Sequence, residues 1–362
     1  MTPTLVLNDH HLGVERTGGT TLASAADLRE YALQQHRRLL RLAPENGAQR
    51  IIFNGDLADT YSIALSQALA IYSITDEFMT EFPHIDVVWA LGNHDLSKDS
   101  TKLGTVAFIG ALLEMKHARF RLVSKPTALD GGVYVIPHMP NQEIFEHELG
   151  RVPDGTKYLL LHCNFSNPFA GQQDHSLELT REVAKGFRDR DITMVLGHEH
   201  QGRRALGGRV LIVGNQFPTS VSDCLAHGDG QADGKKYALL LSDEEPSLIP
   251  TWTPDDEGDG WFAEVDWREL DDVTEDGRGF IRVIGDAGLS ESANVVKAIS
   301  KFRQRSRSFV VTNAVKVESA EGMDGLADTV EDIRKVDVIG LLMEFLNPEE
   351  QKVIQGLVGE KQ

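Results

Sequence analysis

Ile51–Asp59 reads IIFNGDLAD: an apolar run, an asparagine, then Gly-Asp with a second aspartate three positions on. A short apolar run that stops abruptly at Gly and Asp is a β-strand passing into a turn. The same design recurs along the chain. It appears at Thr4–His11 (TLVLNDHH), Val87–Asp95 (VVWALGNHD), Tyr158–His162 (YLLLH) and Thr193–His200 (TMVLGHEH). Further β-rich runs lie at Val133–Ile136 and Val210–Val213. Helical stretches separate several of them. One runs from an expected N-cap at Ser24, with Asp27 three residues on, through LREYALQQHRRLLRLA. Others cover Ser62–Glu81 and about Leu177–Arg188. Alternation of this kind predicts an α/β layered domain, and the closer succession of later strands predicts mixed or antiparallel pairing in the second half.

Working outward, the chain has 362 residues, enough for one large domain or a domain of ordinary enzyme size plus a smaller one. Its 41% hydrophobic share supports a packed core. No run approaches the ~20 apolar residues a membrane span needs, and MTPTLVLNDHHLG does not read as a secretory signal. Only Cys163 and Cys224 occur, which argues against a disulfide scaffold, a four-cysteine zinc site and an iron–sulfur cluster, and a cytoplasmic location without membrane association is expected. The net charge of −19 argues against a surface coated in basic residues. That charge is uneven: residues 255–276 hold eleven acidic residues and one basic residue, Arg268. The run reads as a solvated linker and domain edge.

Pro246, Pro250 and Pro254 precede that acidic run and mark a boundary. Three regions are therefore expected: 1–250, 251–320 and 321–362. In the second, FIRVIG (280–285), Glu291–Gln304 and Ser308–Val317 read as strand, helix and strand, a small α/β unit. In the third, VDVIGLLMEFL and NPEEQKVIQGLVG read as a helix–loop–helix. Asn347 as N-cap, Pro348 at the first helical position and two following glutamates suit the second helix start. The apolar residues of this pair need a partner surface.

Each of the five strand-and-turn stretches puts Asp, Asn or His at the carboxyl end of a strand, where α/β sheets build their sites. One such turn is common. Together they place Asp9 and His11, Asp56 and Asp59, Asn93 and His94, His162, and His198 and His200 in comparable positions. Oxygen and nitrogen donors in this mixture suit Mn²⁺, Fe²⁺ or Zn²⁺ better than Mg²⁺ or Ca²⁺. His10 reads as structural or as a support behind the ligating residues, His138 has no motif to support a role, and Cys163 reads as a small packed residue. Asp95 reads as the cap of the following turn.

The ordered pattern D-x-H, G-D-x-x-D, G-N-H-D, H, G-H-x-H resembles the calcineurin-like metallophosphoesterase superfamily over about residues 5–200. The resemblance implies a layered β-sandwich flanked by helices and a site for two divalent ions, with Mn²⁺ the expected pair. Asp9, His11, Asp56 and His200 would hold the first. Asp56, Asn93, His162 and His198 would hold the second, with Asp56 bridging. Two ions suit in-line displacement at phosphorus, because a pair ~3.5–4 Å apart clamps the attacking and leaving oxygens. His94 would face the substrate and assist departure of the leaving oxygen, and Asp59 would hold its imidazole.

The segment GGRVLIVGNQFPTSVSD (207–223) resembles the part of SbcD-type nucleases that closes the phosphoesterase domain. By layout, 251–320 resembles their small capping domain, and 321–362 resembles the helical segment through which they bind an SbcC-type ATPase. GDLAD in place of the usual G-D-L-F-D, with Asp59 where archaeal and eukaryotic relatives carry His, suits a bacterial or phage type. The resemblance implies a DNA exonuclease/endonuclease of an SbcC–SbcD-like repair and recombination complex, acting as a homodimer. Lys297, Lys301, Arg303, Arg305 and Arg307 would neutralise DNA phosphates. No G-x-x-x-x-G-K-[ST] stretch occurs, so ATP hydrolysis would belong to the partner chain. Two other readings stand beside this one: a stand-alone phosphodiesterase or phosphatase for small nucleotides, and a non-catalytic binding subunit that keeps the site as a relic.

Overall fold

The computed structural model describes residues 1–14, 22–97, 99, 102–167, 176–225, 234–253, 262–273 and 279–317. The first half contains β1 (Thr4–Leu7), α1 (Leu22–Glu45), β2 (Arg50–Asn54), α2 (Leu65–Glu81), β3 (Asp86–Ala90), α3 (Thr105–Lys116) and β4 (Phe120–Val123). Then follow β5 (Thr127–Leu129), β6 (Val133–Ile136), α4 (Gln142–Leu149), β7 (Tyr158–His162), β8 (Asn164–Phe165), β9 (Glu178–Leu179), α5 (Arg181–Asp189) and β10 (Thr193–Gly197). After these come β11 (Arg203–Ala205), β12 (Val210–Ile212), β13 (Lys236–Leu241), β14 (Ser247–Trp252) and β15 (Phe262–Asp266). The last described elements are β16 (Phe280–Ile284), β17 (Asp286–Ala287), α6 (Ser292–Arg305), β18 (Val310–Asn313) and β19 (Lys316–Val317).

Two mixed six-stranded sheets result, in the orders β14-β13-β1-β2-β3-β4 and β11-β12-β10-β7-β6-β5. In the first, β1 to β4 run parallel while β13 and β14 are antiparallel additions at the β1 side. In the second, β12, β10, β7 and β6 run parallel, with β11 and β5 antiparallel at the two edges. Alternation along each strand then sorts the core, because successive side chains leave opposite faces of a sheet. Val6, Ile52, Val88, Leu160 and Val195 meet in one buried cluster between the sheets. Leu5, Leu7, Ile51 and Phe53 face outward into a second cluster with α1, α2 and α3. Leu159, Leu161, Met194 and Leu196 face outward into a third with α4 and α5. The layers are helix, sheet, sheet, helix, the flanked α/β sandwich that the resemblance implied.

The helix starts differ in detail from the sequence reading. Ser24 lies inside α1, which begins at Leu22, so it is not the N-cap. The helix expected from Ser62 begins at Leu65. The one expected from Leu177 begins at Arg181, because the Thr180 hydroxyl accepts from the Val183 N–H and caps it there. Glu178 and Leu179 instead pair with Asn164 and Phe165. The run Ser308–Val317 divides into β18 and β19. Strands β4, β5, β11 and β14 sit at sheet edges, where short polar-rich sequences carry little periodic signal.

β15, β16 and β18 form a three-stranded parallel sheet. Phe280 and Val310 are buried in the same cluster as Leu5 and Phe53. The chain divides into two compact units; one comprises Met1–Gly285 and Lys297–Ala314, the other Asp286–Val296 and the residues from Val315. In the second unit β17 pairs in parallel with β19. The helix–loop–helix expected over 321–362 lies outside the described residues. No helix among the described residues is long and apolar enough to cross a membrane.

Candidate metal centre

Because β1, β2 and β3 are parallel in one sheet and β7 and β10 are parallel in the other, their carboxyl ends deliver five turns to one region. Asn54, the last residue of β2, ties the sheets together there by donating to the carbonyls of Leu161 (2.8 Å) and Val195 (3.4 Å). Beyond the strands the first two turns run alongside each other. The N–H groups of Asp9 and His11 donate to the carbonyls of Gly55 and Asp56, each at 3.1 Å. Backbone shape aims the ligands: Asp9, His11, Asp56 and His198 all take positive φ, at 55°, 47°, 50° and 89°. For residues other than glycine this costs roughly 1–2 kcal/mol each. Strain of this kind persists where surrounding structure imposes it.

Three donor groups form among the described residues. The ligating atoms of Asp9, His11 and His200 lie within 4.8 Å of one another, as do those of Asp56, His162 and His198. Asp56 stands between these two: Oδ2 is 3.2 Å from His162 Nε2 and 4.0 Å from His11 Nε2. Its Oδ1 accepts the His94 N–H at 2.9 Å. Asn93 Oδ1 lies 3.0 Å from His162 Nε2 and 3.1 Å from His198 Nδ1, which places it in the second group. Asp9 accepts the His198 N–H on both carboxylate oxygens, at 3.1 and 3.0 Å. Asp9, His11, Asp56 and His162 are buried, whereas Asn93, His94, His198 and His200 are partly exposed. The site thus has a closed floor and one face open to substrate.

The donor set fits cations. His162 Nδ1 lies 2.9 Å from the Asn54 carbonyl, which can only accept, so Nδ1 carries the proton. Its Nε2 then faces Asp56 Oδ2 and Asn93 Oδ1, two more acceptors, so a proton or a cation belongs at that position. His200 Nδ1 lies 2.9 Å from the Asp223 carboxylate, which leaves its Nε2 to face His11 Nε2 at 2.9 Å. Acceptors converging in this way need a positive charge among them. Burial opposes charge on the His162 ring, but the Asp56 carboxylate outweighs it and lifts the pKa to about 10. Burial likewise disfavours ionised Asp56, yet His162 and His11 hold it well below the usual carboxylate range.

His94 and Asp59 meet in a way the motif did not specify. His94 Nδ1 donates to the backbone carbonyl of Asp59 at 2.6 Å, while the Asp59 carboxylate lies 3.4 Å from His11 Nδ1. His11, Asp59 and His94 offer ligating atoms within 4.8 Å of one another. With Nδ1 protonated against a carbonyl, Nε2 is the atom of His94 that can exchange a proton.

Asp95 does more than cap a turn. Its oxygens accept from Gly92 (2.9 Å) and Ala58 (3.0 Å), joining the third strand-end turn to the second. Burial and the neighbouring Asp56 charge push its pKa up to about 7. Gly92 is required there: a Cβ would lie 2.2 Å from Asp56 Oδ1 and 2.3 Å from the Asp56 nitrogen. Glu199 is structural. It accepts from the Phe165 N–H and pairs with Arg203. His10 packs against His36, with Nδ1 atoms 3.0 Å apart. Cys163 is buried, and burial raises its thiol well above the ordinary range, which leaves it unsuited to act as a nucleophile.

Asp223 is the residue the strand-end reading missed. It is buried, bonds His200, and accepts from the N–H groups of Thr219 and Ser220, both at 2.9 Å. His200 and buried Lys236 overcome the cost of burial and hold its pKa low. The only local signal is Ser220-x-x-Asp223, which by itself reads as a helix cap.

The basic residues of 297–307 are not a uniform phosphate-facing cluster. Lys301 pairs with Asp271 at 3.0 Å, and Arg305 lies 3.6 Å from the same carboxylate. Arg303 donates to the Val311 carbonyl at 2.7 Å. Lys297 and Arg307 are exposed and make no ion pair among the described residues.

Among solved structures the chain is similar to a dimetal phosphatase from Danio rerio, at 11% identity over 69% of this chain and 96% of that one, with a TM-score of 0.39. It is similar to the nuclease MPE of Pseudomonas putida at 16% identity over 68% and 86%, with a TM-score of 0.29. It also matches a cold-active protein-tyrosine phosphatase of a psychrophilic Shewanella species, at 11% identity over 70% and 81% and a TM-score of 0.33. No curated protein matches. The family model described as calcineurin-like phosphoesterase matches residues 2–212, which carry all five strand-end turns. This chain belongs to the calcineurin-like phosphoesterase family.

Proposed function

We propose that this metal-dependent phosphoesterase cleaves DNA as the nuclease subunit of an SbcC–SbcD-like repair and recombination complex, with two Mn²⁺ ions as cofactor. The observation that supports a two-ion phosphodiesterase is the pair of neighbouring donor groups with Asp56 between them. Asp9, His11 and His200 would hold one ion, Asn93, His162 and His198 the other, and Asp56 both. When bound, such ions supply Lewis-acid charge at the phosphate and lower the pKa of water. The chain's own residues do the rest. Asp223 orients His200, the Asn54 carbonyl orients His162, and His94 Nε2 sits on the partly exposed side, where it serves as acid for the departing 3′ oxygen. DNA as the substrate rests on the resemblance over 207–223 and on the layout of the C-terminal third. In the same reading 251–320 acts as a cap, with Lys297 and Arg307 its available cations, and 321–362 binds the ATPase.

A homodimer belongs to this reading. Its support is an apolar surface on adjacent helices: Leu65 and Leu69 on α2, and Phe108, Leu112 and Met115 on α3. The charged residues of α3 are only Glu114 and Lys116. A helix apolar on nearly all sides belongs in an interior, which a second copy would provide. Light scattering should give twice the chain mass for the wild type and a single chain for Phe108→Glu/Met115→Glu; a monomeric wild type removes this part of the reading.

The deciding experiment is cleavage of end-labelled duplex and single-stranded DNA with Mn²⁺, Mg²⁺ or EDTA, beside bis-p-nitrophenyl phosphate and small nucleotides. DNA cleavage in Mn²⁺ that EDTA abolishes is expected. Hydrolysis of small esters with DNA left intact would point instead to a small-nucleotide enzyme.

A further inference from the structure

The two sheets leave an opening between the hairpin-paired strands β11 and β12 on one side and β13 and β14 on the other. It holds a cavity of about 330 Å³, within the usual range of small-molecule sites, about 300–1,000 Å³. Its floor is apolar, formed by Leu211, Val213 and Leu239. Tyr237 and the 42% exposed Leu248 stand at its rim.

Its polar lining is one-sided. Arg203, Arg204, Lys235 and Lys236 all contribute, and none of the described lining residues is acidic. This is notable in a chain of net charge −19. Four cations around a low-dielectric cleft raise the local concentration of anions. Their situations differ. Arg203 is held by Glu199 at 2.8 Å. Lys236 is buried and donates to the His200 carbonyl at 3.3 Å. Arg204 and Lys235 are exposed, and Arg204 makes no ion pair among the described residues. The cleft also adjoins the metal centre, because its lining includes Gln201, the residue after His200, and Lys236, which backs His200.

We propose that this cleft binds one nucleotide of the strand being cut, next to the scissile phosphate. The base lies on the apolar floor beside Tyr237, and its phosphate meets Arg204 and Lys235. Apolar surface with an aromatic ring and rim cations is the chemistry that takes a base and its phosphate together. The site rests on the DNA-cleaving reading for its biological substrate, but its occupancy can be measured without cleavage.

The test uses the full chain in EDTA. A labelled single-stranded oligonucleotide is titrated at several salt concentrations and then competed with a 5′-mononucleotide, with inorganic phosphate, or with an uncharged apolar peptide. Arg204→Glu should weaken oligonucleotide binding at least about tenfold and lower the salt slope by about 0.7, the loss of one phosphate contact. Leu248→Trp, an uncharged block at the rim, should weaken mononucleotide competition similarly. Both variants should keep the wild-type Tm and, once EDTA is removed, the wild-type Mn²⁺ affinity, which shows them folded with an intact centre. Wild-type affinity in both variants overturns the proposal. So does inorganic phosphate or the peptide competing as well as the mononucleotide. If the wild type binds mononucleotide in the cleft yet leaves DNA uncut, the cleft stands and the nuclease reading fails.

Discussion

His200 Nδ1 and Asp223 Oδ1 lie 2.9 Å apart across 23 residues of sequence, so the second histidine of GHEH is aimed by a carboxylate from a different segment. Burial alone would lower the His200 pKa; Asp223 overrides burial and raises it. A carboxylate bonded to one imidazole nitrogen fixes the tautomer and makes the other nitrogen a better ligand.

Asp223→Asn should therefore weaken metal binding by about 10–100-fold without removing any ligand. Mn²⁺ titration by calorimetry checks this. Unchanged affinity would show that the Asp223 contact only packs the turn.

His94→Ala should lower kcat by roughly 10²–10⁴ and leave metal content as in the wild type, because the role proposed for His94 is at the substrate and not at the ions. Elemental analysis beside bis-p-nitrophenyl phosphate kinetics separates the two quantities. Loss of metal in step with activity would make His94 a ligand instead.

Gly92→Ala places a Cβ 2.2 Å from Asp56 Oδ1, the carboxylate between the two donor groups. The expected outcome is loss of metal binding at both positions, with a lower Tm. A variant that binds two ions normally would mean that the Gly92 and Asp56 turns have slack the structure does not show.

His36 is buried, and burial, followed by the charge of Arg37, lowers its pKa from 6.5 to about 3. The folded chain keeps this ring neutral while the unfolded chain protonates it. Its contribution is full above pH 6.5 and is lost as the pH falls from about 6.5 toward 3, at up to ~1.4 kcal/mol per pH unit. Urea unfolding at pH 7.5, 6.5 and 5.5 should show this decline in the wild type and a shallower one in His36→Gln. Parallel curves would sink the assignment.

The cluster of candidate donors was legible because each donor follows its own strand. IIFNGD, VVWALGNHD and TMVLGHEH carry both the apolar run and the ligand within ten residues, so local pattern suffices. Asp223 has no such run before it, and its Ser220-x-x-Asp223 pattern reads as a cap. The basic run at 297–307 shows a second limit of local pattern. Its sequence shows no nearby acid, but the fold brings Asp271 to Lys301 from 30 residues away.

By itself the sequence determined the ligand types, their place at strand ends and the helix–sheet alternation, because these depend on side-chain chemistry and on periodicities a few residues long. Only the tertiary structure decided which ligands share a group, that Asp56 stands between the groups, and that His11 and His200 meet across 189 residues. Those relations depend on strand order within two sheets and on how the sheets face each other. Long-range pairing of that kind is settled by burying Val6, Ile52, Leu160 and Val195 against one another, and no local pattern records it.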